Sequence, residues 1–243
     1  MNFDSKNIKQ LRGKLTERIK RTPSIESFRF ITDEKLDFTP GQFIQVIFDE
    51  NNLSNKELNK YLSFSSSPSR QYFEVTKRLS QSKFSEKLSR LSIGSQVLFK
   101  APMGSCVFRE DYGRIGFLIG GIGITPVISI IEFIAERGLN TDVVLLYSNR
   151  TEEEIAFLKE LNEWQKANTN IKVVYTVTDC KPKDAICIEG RINKSIFLDN
   201  FKEPGQRVFF IFGPPKMVEA MESLCLEAGV LLDNLKTESF VGY

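Results

Sequence analysis

The 243-residue sequence contains no histidine. This absence excludes Ser-His-Asp and Cys-His catalysis, HExxH zinc sites, Cys2His2 zinc fingers and histidine-ligated haem. The four cysteines, Cys106, Cys180, Cys187 and Cys225, form no CxxC pair, so we expect neither a metal site nor an iron–sulfur cluster. Proton or electron chemistry in this protein therefore requires carboxylates, lysine, tyrosine, thiols or a bound cofactor.

An excess of charge of one sign is also missing. The chain has 33 lysines and arginines against 31 aspartates and glutamates, a net charge of +2. This balance does not indicate a nucleic-acid partner, and we expect none. The first ten residues lack the apolar segment of a signal peptide, and the scattered cysteines are typical of a reducing compartment. We therefore expect a cytoplasmic location.

Long hydrophobic runs are scarce, and the longest, Ile115–Ile131, is shorter than the roughly 20 residues that a membrane span requires. Gly120, Gly121, Gly123 and Pro126 also interrupt it. We expect no membrane span. The stretch instead predicts a buried strand, a glycine turn and a helix.

The first hundred residues contain short segments of β-branched and aromatic residues separated by turn formers. Examples are Gly41–Phe48, Gln71–Arg78 and Ser95–Lys100. Strands of this length and spacing predict a small antiparallel barrel or sandwich, interrupted by one helix near Phe84–Leu91. We place this domain at residues 1–108.

Beyond Phe108 the composition of the segments changes. Four apolar runs, Ile115–Ile119, Val143–Tyr147, Ile171–Val177 and Val208–Phe212, are typical of strands buried on both faces of a parallel sheet. Amphipathic segments between them predict helices. The sequence thus predicts a second, α/β domain at residues 109–243.

Capping residues indicate where two of these helices begin and end. Thr125 and Pro126 are a favourable N-cap and first-position pair for a helix that ends at Gly138. Thr151 and Glu154 have the spacing of a capping box for the next helix.

The glycine-rich segment Gly120–Pro126 follows the first apolar strand and begins a helix. Glycines allow a tight turn and a close approach of the backbone to a pyrophosphate, which the helix N-terminus then stabilises. The third glycine of the dinucleotide fingerprint is replaced by Pro126. The segment therefore indicates either a nucleotide site or a strand-to-helix turn without a ligand.

Two further loops follow strands at the edge where open α/β sheets bind ligands. Arg150 follows Val143–Tyr147 and is a candidate partner for the 2′-phosphate of NADP, with a solvated loop arginine as an equal interpretation. No acid stands at the end of that strand. Gly213–Met217 forms another tight turn into a helix, which is predicted to stop at Gly229.

Taken in order, these segments resemble the ferredoxin–NADP reductase family of flavin enzymes over nearly the whole chain. The matching segments are Pro40–Phe43, Lys60–Ser63 with Pro68, Val75–Arg78, Ser82–Ser85, Met103–Gly104, Gly120–Pro126, Tyr147–Arg150, Gly213–Met217 and Glu238–Tyr243. The resemblance implies an N-terminal antiparallel Greek-key β-barrel that binds flavin. It also implies a C-terminal Rossmann-like parallel sheet with flanking helices that binds NAD(P).

The resemblance also implies roles for individual residues. Ser63 would hydrogen-bond near flavin N5, Glu238 would assist proton movement, and Tyr243 or Phe240 would cover the flavin ring. The implied flavin-binding residues are Lys60, Tyr61, Leu62, Ser63, Val75, Lys77, Ser82, Lys83, Phe84, Ser85 and Phe240. The implied nucleotide-binding residues are Gly121, Gly123, Thr125, Arg150, Gly213, Pro214 and Met217.

Three residues depart from the family's motifs. Lys60 replaces an arginine, which keeps the charge and loses the bidentate contact with phosphate. Leu62 stands where a tyrosine usually lies against the flavin ring, and Tyr61 is on the opposite face of its strand. Phe212 replaces a cysteine that usually lies near the nicotinamide.

The resemblance implies an NAD(P)H-dependent flavoprotein reductase. Hydride from NADPH or NADH would pass to a bound flavin, with FAD favoured over FMN, and electrons would then leave for an external acceptor. That acceptor would be a small electron-transfer protein, a haem or iron protein, or a small molecule. Two alternatives stay open: a flavin or ferric reductase that uses flavin as a diffusing substrate, and an electron-transfer or nucleotide-sensing subunit without turnover of its own.

Overall fold

The computed structural model describes residues 8–183 and 186–240. Contacts between residues divide the chain into two compact units. The first comprises Met1–Phe108 with Thr125–Phe133, and the second comprises Arg109–Ile124 with Ile134–Tyr243. The domain boundary between residues 108 and 109 stays a prediction.

The first unit contains a six-stranded antiparallel sheet with the order β4-β3-β6-β1-β2-β5. Its elements are β1 (Lys9–Lys20), β2 (Ile25–Ile31), β3 (Phe43–Ile47), β4 (Asn59–Ser63), β5 (Phe73–Arg78), helix α1 (Lys83–Ser89) and β6 (Gln96–Met103). A bridge between Phe64 and Val75 joins the two outermost strands. The predicted antiparallel barrel is confirmed.

Alternation along the strands directs apolar side chains to the inside of the barrel. Phe28 and Phe30 of β2 are fully buried in its core, and the Phe30 and Phe99 rings meet edge to face with centroids 5.0 Å apart. Phe73 contacts Phe99 in the same way at 5.1 Å. Burial of each such ring contributes roughly 1.5–3 kcal/mol, and the edge-to-face geometry adds to this.

The second unit contains a six-stranded parallel sheet with the order β10-β9-β8-β7-β11-β12. Its strands are β7 (Arg114–Gly120), β8 (Asp142–Asn149), β9 (Ile171–Val177), β10 (Cys187–Glu189), β11 (Val208–Gly213) and β12 (Leu235–Ser239). The helices are α2 (Ile124–Arg137), α3 (Leu158–Ala167), α4 (Lys194–Asn200) and α5 (Pro215–Glu227). The four predicted strands and the parallel arrangement are confirmed.

The uncharged stretch Ile115–Ile131 folds as β7, a short 3-10 turn over Gly121–Gly123 and the first half of α2. Ile115, Phe117 and Ile119 have no exposed surface. Within residues 8–183 and 186–240, no helix is both long and apolar enough to cross a membrane.

Two predicted helix starts are wrong. Helix α2 begins one residue before Thr125, with Gly123 as its N-cap, because the 3-10 turn runs directly into the helix. The capping box at Thr151 is absent, since residues Glu152–Glu154 form a separate 3-10 turn without a side-chain cap. The predicted end of α2 is confirmed at Gly138, whose φ of 60° lies in the left-handed region.

Candidate functional site

The serine-rich segment Ser63–Ser69 begins at the end of β4. Among its four buried serines in the described part of the chain, Ser63 is the one whose hydroxyl makes no hydrogen bond. Ser63 ends β4 opposite Phe43 and is 5% exposed. Ser65 Oγ bonds Thr76 Oγ1 at 2.7 Å, Ser66 Oγ accepts from the Glu74 N–H at 3.0 Å, and Ser67 Oγ accepts from the N–H of Ser69. The Ser63 hydroxyl is therefore available to a ligand.

Lys60 of β4 and Arg78 of β5 lie near enough to Lys77 of β5 for their charges to act on it, and the Arg78 guanidinium donates to Ser24 Oγ at 2.9 Å. Lys77 donates from Nζ to the carbonyl of Arg78 at 2.9 Å. Burial lowers the pKa of Lys77, and the positive charges of Lys60 and Arg78 lower it further. A cluster of like charges is stabilised by a bound anion, so this geometry fits a phosphate group.

The two residues between Lys60 and Ser63 point to opposite faces of β4, as predicted. Leu62 is 8% exposed and belongs to the barrel core. Tyr61 is 60% exposed, and its ring meets Phe43 edge to face with centroids 5.7 Å apart. β4 pairs with β3 in continuous register, so no bulge brings Tyr61 to the face of Leu62.

Val75 and Phe84 were predicted to bind flavin, but the structure buries both side chains in the barrel core. Only their backbone groups remain for a ligand. At the start of α1, Ser82 Oγ lies 3.1 Å from Ser85 Oγ and accepts from the Ser85 N–H at 3.2 Å. Lys83 pairs with the Glu57 carboxylate at 2.7 Å, so a phosphate would compete for its charge.

A buried ionic network was not anticipated from the sequence. Glu74 of β5 is 2% exposed, and its carboxylate accepts from Arg21 Nη2 at 3.0 Å and Arg29 Nε at 2.9 Å. The Ser65 hydroxyl donates to the same carboxylate at 3.2 Å. Removing one partner of a buried ion pair lowers the free energy of unfolding by about 3–5 kcal/mol. We therefore expect the Glu74 carboxylate to stabilise this part of the barrel.

In the second unit, the turns after β7 and β11 meet at the point where the strand order reverses, which is where open α/β sheets bind ligands. A Cβ on Gly123 would lie 2.5 Å from the Phe212 carbonyl oxygen. One on Gly120 would overlap the Met217 sulfur, whereas Gly121, with a φ of 53°, faces open space. The backbone of this turn is therefore accessible to a pyrophosphate.

The loops after β8 and β9 are joined by their backbones. The N–H of Asp179 donates to the Arg150 carbonyl at 2.8 Å. Glu152 and Glu153 follow Arg150, and a hydrogen bond from Lys183 lowers the pKa of Glu153 to about 2, so that carboxylate is ionised. The end of β8 carries no acid in the sequence, and the pairing of β8 with β9 brings the backbone of Asp179, which follows β9, to Arg150.

Glu238 lies on the edge strand β12, paired with Phe212. Burial raises the pKa of its carboxyl, so this group stays protonated to a higher pH than an exposed glutamate does. The Phe212 and Phe240 rings meet edge to face with centroids 6.4 Å apart. The predicted residue Tyr243 lies outside the described residues.

The remaining predicted nucleotide-binding residues are brought to the same edge of the sheet. Thr125 is buried in the first turn of α2. Pro214 is the N-cap of α5. Gly213 ends β11 close to the turn after β7, and a Cβ on Gly213 would lie 3.2 Å from the Gly120 nitrogen. The described residues hold no group of three or more side chains that could ligate a metal.

The chain matches two family models. The oxidoreductase FAD-binding domain matches residues 12–108, and the oxidoreductase NAD-binding domain matches residues 117–223. NADH-cytochrome b5 reductase 1 of Mortierella alpina is 27% identical over 89% of this chain and 74% of its own length. Its counterpart from Dictyostelium discoideum is 31% identical over 66% of this chain and 57% of its own length.

Among solved structures, a ferredoxin NADP+ reductase from Neisseria gonorrhoeae with bound FAD and NADP superposes with a TM-score of 0.81 at 21% identity. The match covers 95% of this chain and 98% of that one. The fold and the two family models define a two-domain flavin- and nicotinamide-dependent oxidoreductase. The chain belongs to the ferredoxin–NADP reductase-like family of flavoprotein oxidoreductases.

The predicted activity and cofactors are confirmed at the level of this class. The protein is an NAD(P)H-dependent flavoprotein reductase that binds FAD and transfers electrons to an external acceptor. The site residues fit these cofactors. In the first unit, the Ser63 hydroxyl makes no hydrogen bond in the described structure, and it lies on β4, the strand that also carries Lys60. In the second unit a glycine turn leaves backbone open to a pyrophosphate.

Proposed function

We propose that residues 1–108 hold FAD and residues 109–243 hold the nicotinamide nucleotide. Bound FAD supplies hydride acceptance and the release of electrons singly or in pairs. The observation that carries the proposal is the unpartnered Ser63 hydroxyl on β4, the strand that also presents Lys60. Lys60, Lys77 and Arg78 bind the FAD phosphates, and Ser63 hydrogen-bonds the flavin ring near N5.

The residues of the second unit orient the nucleotide and handle a proton. The backbone of Gly121 and Gly123 and the first turn of α2 bind the pyrophosphate. Glu238 holds a proton near the reacting groups, since its raised pKa keeps the carboxyl neutral over a wider pH range. Phe240 would cover the flavin ring, a role that the family resemblance also gives to Tyr243.

NADH is the proposed physiological donor. Arg150 alone would attract a 2′-phosphate, but Asp179 and Glu152 place carboxylates in the same pair of loops, where the Glu153 carboxylate is paired with Lys183. Like charges disfavour the additional phosphate of NADPH. The two relatives from Mortierella alpina and Dictyostelium discoideum are named as NADH-dependent enzymes, which supports the same donor.

The proposed acceptor is a haem protein of the b-type cytochrome class, as the names of these relatives suggest. A cytoplasmic location is proposed as well, and the four cysteines, which form no disulfide in the described residues, agree with a reducing compartment. In the test, the FAD-loaded protein and NADH are mixed with one acceptor at a time. The acceptors are a soluble b-type cytochrome, ferricyanide and excess free FAD. Rapid reduction of the cytochrome is expected, and reduction of ferricyanide alone would reject the haem acceptor.

A second candidate function is a reductase of diffusing flavin. The observation that favours it is the burial of Leu62 in the barrel core, which leaves that position without an aromatic ring for flavin stacking. Gel filtration of the FAD-loaded protein separates the two candidates. Flavin that elutes with the protein supports the bound cofactor, and flavin that is lost on the column supports the diffusing substrate.

A further inference from the structure

Helix α2 carries a buried carboxylate that binds the serine-rich segment after β4. Glu132 is 7% exposed, and its Oε2 accepts from the Ser67 N–H at 2.6 Å. Its Oε1 accepts from Arg70 at 3.0 Å from Nε and 2.6 Å from Nη2. Residues Thr125–Phe133 of this helix group with the barrel strands, so these bonds lie within the first unit.

The same segment is bound from its other side by β5. The Ser65 N–H donates to the Glu74 carbonyl at 2.8 Å, and the Glu74 N–H donates to Ser66 Oγ at 3.0 Å. Ser67 has no exposed surface, so its N–H would lose a buried hydrogen bond without Glu132. Two acidic residues, one from a strand and one from a helix, therefore determine the path of the backbone that leaves Ser63.

We propose that Glu132 is a positioning residue for the flavin site, which it shapes by fixing Ser67 and Arg70 and thereby the backbone that follows Ser63. The proposal rests on the proposed function, in which Ser63 binds flavin. It extends that function, because Glu132 lies on the helix that begins at the Gly121–Gly123 turn. The same helix therefore follows the nucleotide turn along the chain and carries the carboxylate that binds Ser67 and Arg70.

This arrangement has a thermodynamic consequence. A nucleotide that orders the first turn of α2 also favours the helix position in which Glu132 holds Ser67. Bound nucleotide should therefore raise the affinity for flavin, and bound flavin should raise the affinity for nucleotide by the same factor. A residue with a purely structural role would change stability without changing this factor.

Two substitutions distinguish the contact of Glu132 with the Ser67 N–H from its ion pair with Arg70. Glu132→Gln keeps an oxygen that accepts from the Ser67 N–H and loses the ion pair with Arg70, whose side chain is 43% exposed and stays hydrated. Glu132→Ala removes both contacts. Glu163→Gln is the matched control, because that carboxylate is exposed on α3 and lies 3.9 Å from Lys159.

The experiment measures two dissociation constants. That for FAD is measured on flavin-stripped protein, with and without saturating NAD+. That for NAD+ is measured on FAD-loaded protein and on flavin-stripped protein. In the wild type and in Glu163→Gln, each ligand is expected to tighten the other about fivefold or more. In Glu132→Ala, the FAD dissociation constant rises about tenfold and the coupling factor falls towards one. Glu132→Gln gives intermediate values for both quantities.

Wild-type coupling in both Glu132 variants would overturn the proposal. Should Glu132→Ala not fold, the Gln variant alone decides, because loss of the ion pair must at least halve the coupling factor. A wild-type protein that binds no FAD would instead overturn the proposed function, so the two failures are distinguishable.

Discussion

The main chains of Gly123 and Phe212 approach so closely that a Cβ on Gly123 would lie 2.5 Å from the Phe212 carbonyl oxygen. This contact brings the turn after β7 against the end of β11, at the reversal of the strand order. Real Cβ atoms do not tolerate such a distance to backbone, so one of the two turns must move when a methyl group is added.

Gly123→Ala is therefore expected to weaken NAD+ binding at least about tenfold and to lower the free energy of unfolding by about 1–3 kcal/mol. Gly138→Ala is the control, since its φ of 60° makes it a strained site at the other end of α2. That control should lose about 1 kcal/mol of stability and keep wild-type NAD+ affinity. Titration calorimetry and thermal unfolding measure both, and unchanged NAD+ affinity in Gly123→Ala would contradict the pyrophosphate assignment.

Ser63→Ala is expected to slow flavin reduction by NADH about tenfold to a hundredfold, because it removes the hydroxyl assigned to the flavin ring. FAD affinity should change little, since the cationic cluster remains. Stopped-flow absorbance measures the rate, with Ser195→Ala, an exposed serine on α4, as the control. A Ser63→Ala rate equal to that of the control would reject the assignment.

Lys77→Gln is expected to weaken FAD binding about tenfold and to leave riboflavin binding unchanged, because riboflavin has no phosphate. Lys166→Gln on α3 removes an exposed charge and serves as the control. Fluorescence titrations with both flavins, repeated at higher salt, measure the effect. Equal losses for FAD and riboflavin would place Lys77 at the ring instead of the phosphates.

Asp179→Asn is expected to raise kcat/KM for NADPH about tenfold relative to that for NADH, since it removes a carboxylate from the loop whose backbone bonds Arg150. Arg150→Gln should lower the value for NADPH more than that for NADH. Steady-state kinetics with both nucleotides decide this, with Asp233→Asn as the control. An unaltered ratio in Asp179→Asn would remove Asp179 from donor selection.

Glu238 predicts a pH dependence of stability. Burial raises the pKa of its carboxyl above the usual 4.5. At a pH between this usual value and the raised one, the folded state therefore holds a proton that the unfolded state has lost. Its contribution is present below about pH 4.5 and is lost as the pH rises through the raised pKa. As the pH rises above about 4.5, the wild type should lose stability relative to Glu238→Gln, as thermal unfolding measures. A constant difference between the two proteins would show that Glu238 titrates normally.

The sequence predicts the second unit better than the first. β7, β8, β9 and β11 are nearly uninterrupted apolar runs, and such runs are recognisable without tertiary information. β1 was missed because most of its twelve residues are polar and only two are fully buried. β12 was missed for the same reason, since the edge strand Leu235–Ser239 has no fully buried residue.

The motif residues of the proposed site lie together in short segments, so the sequence alone indicates them, and their roles stay predictions. The sequence alone does not indicate their supports, since Glu132 contacts Ser67 from 65 residues away and Glu74 contacts Arg21 from 53 residues away. Asp179 reaches Arg150 only through the pairing of β8 with β9. Local periodicity does not contain such contacts, which arise from the order of strands in each sheet.

The most direct test is the visible absorption spectrum of the purified protein under anaerobic conditions, before and after NADH and, separately, NADPH. A flavin spectrum that bleaches with both nucleotides, and faster with NADH, is expected. A protein that shows no flavin absorbance, and neither binds nor reduces added FAD, would contradict this expectation.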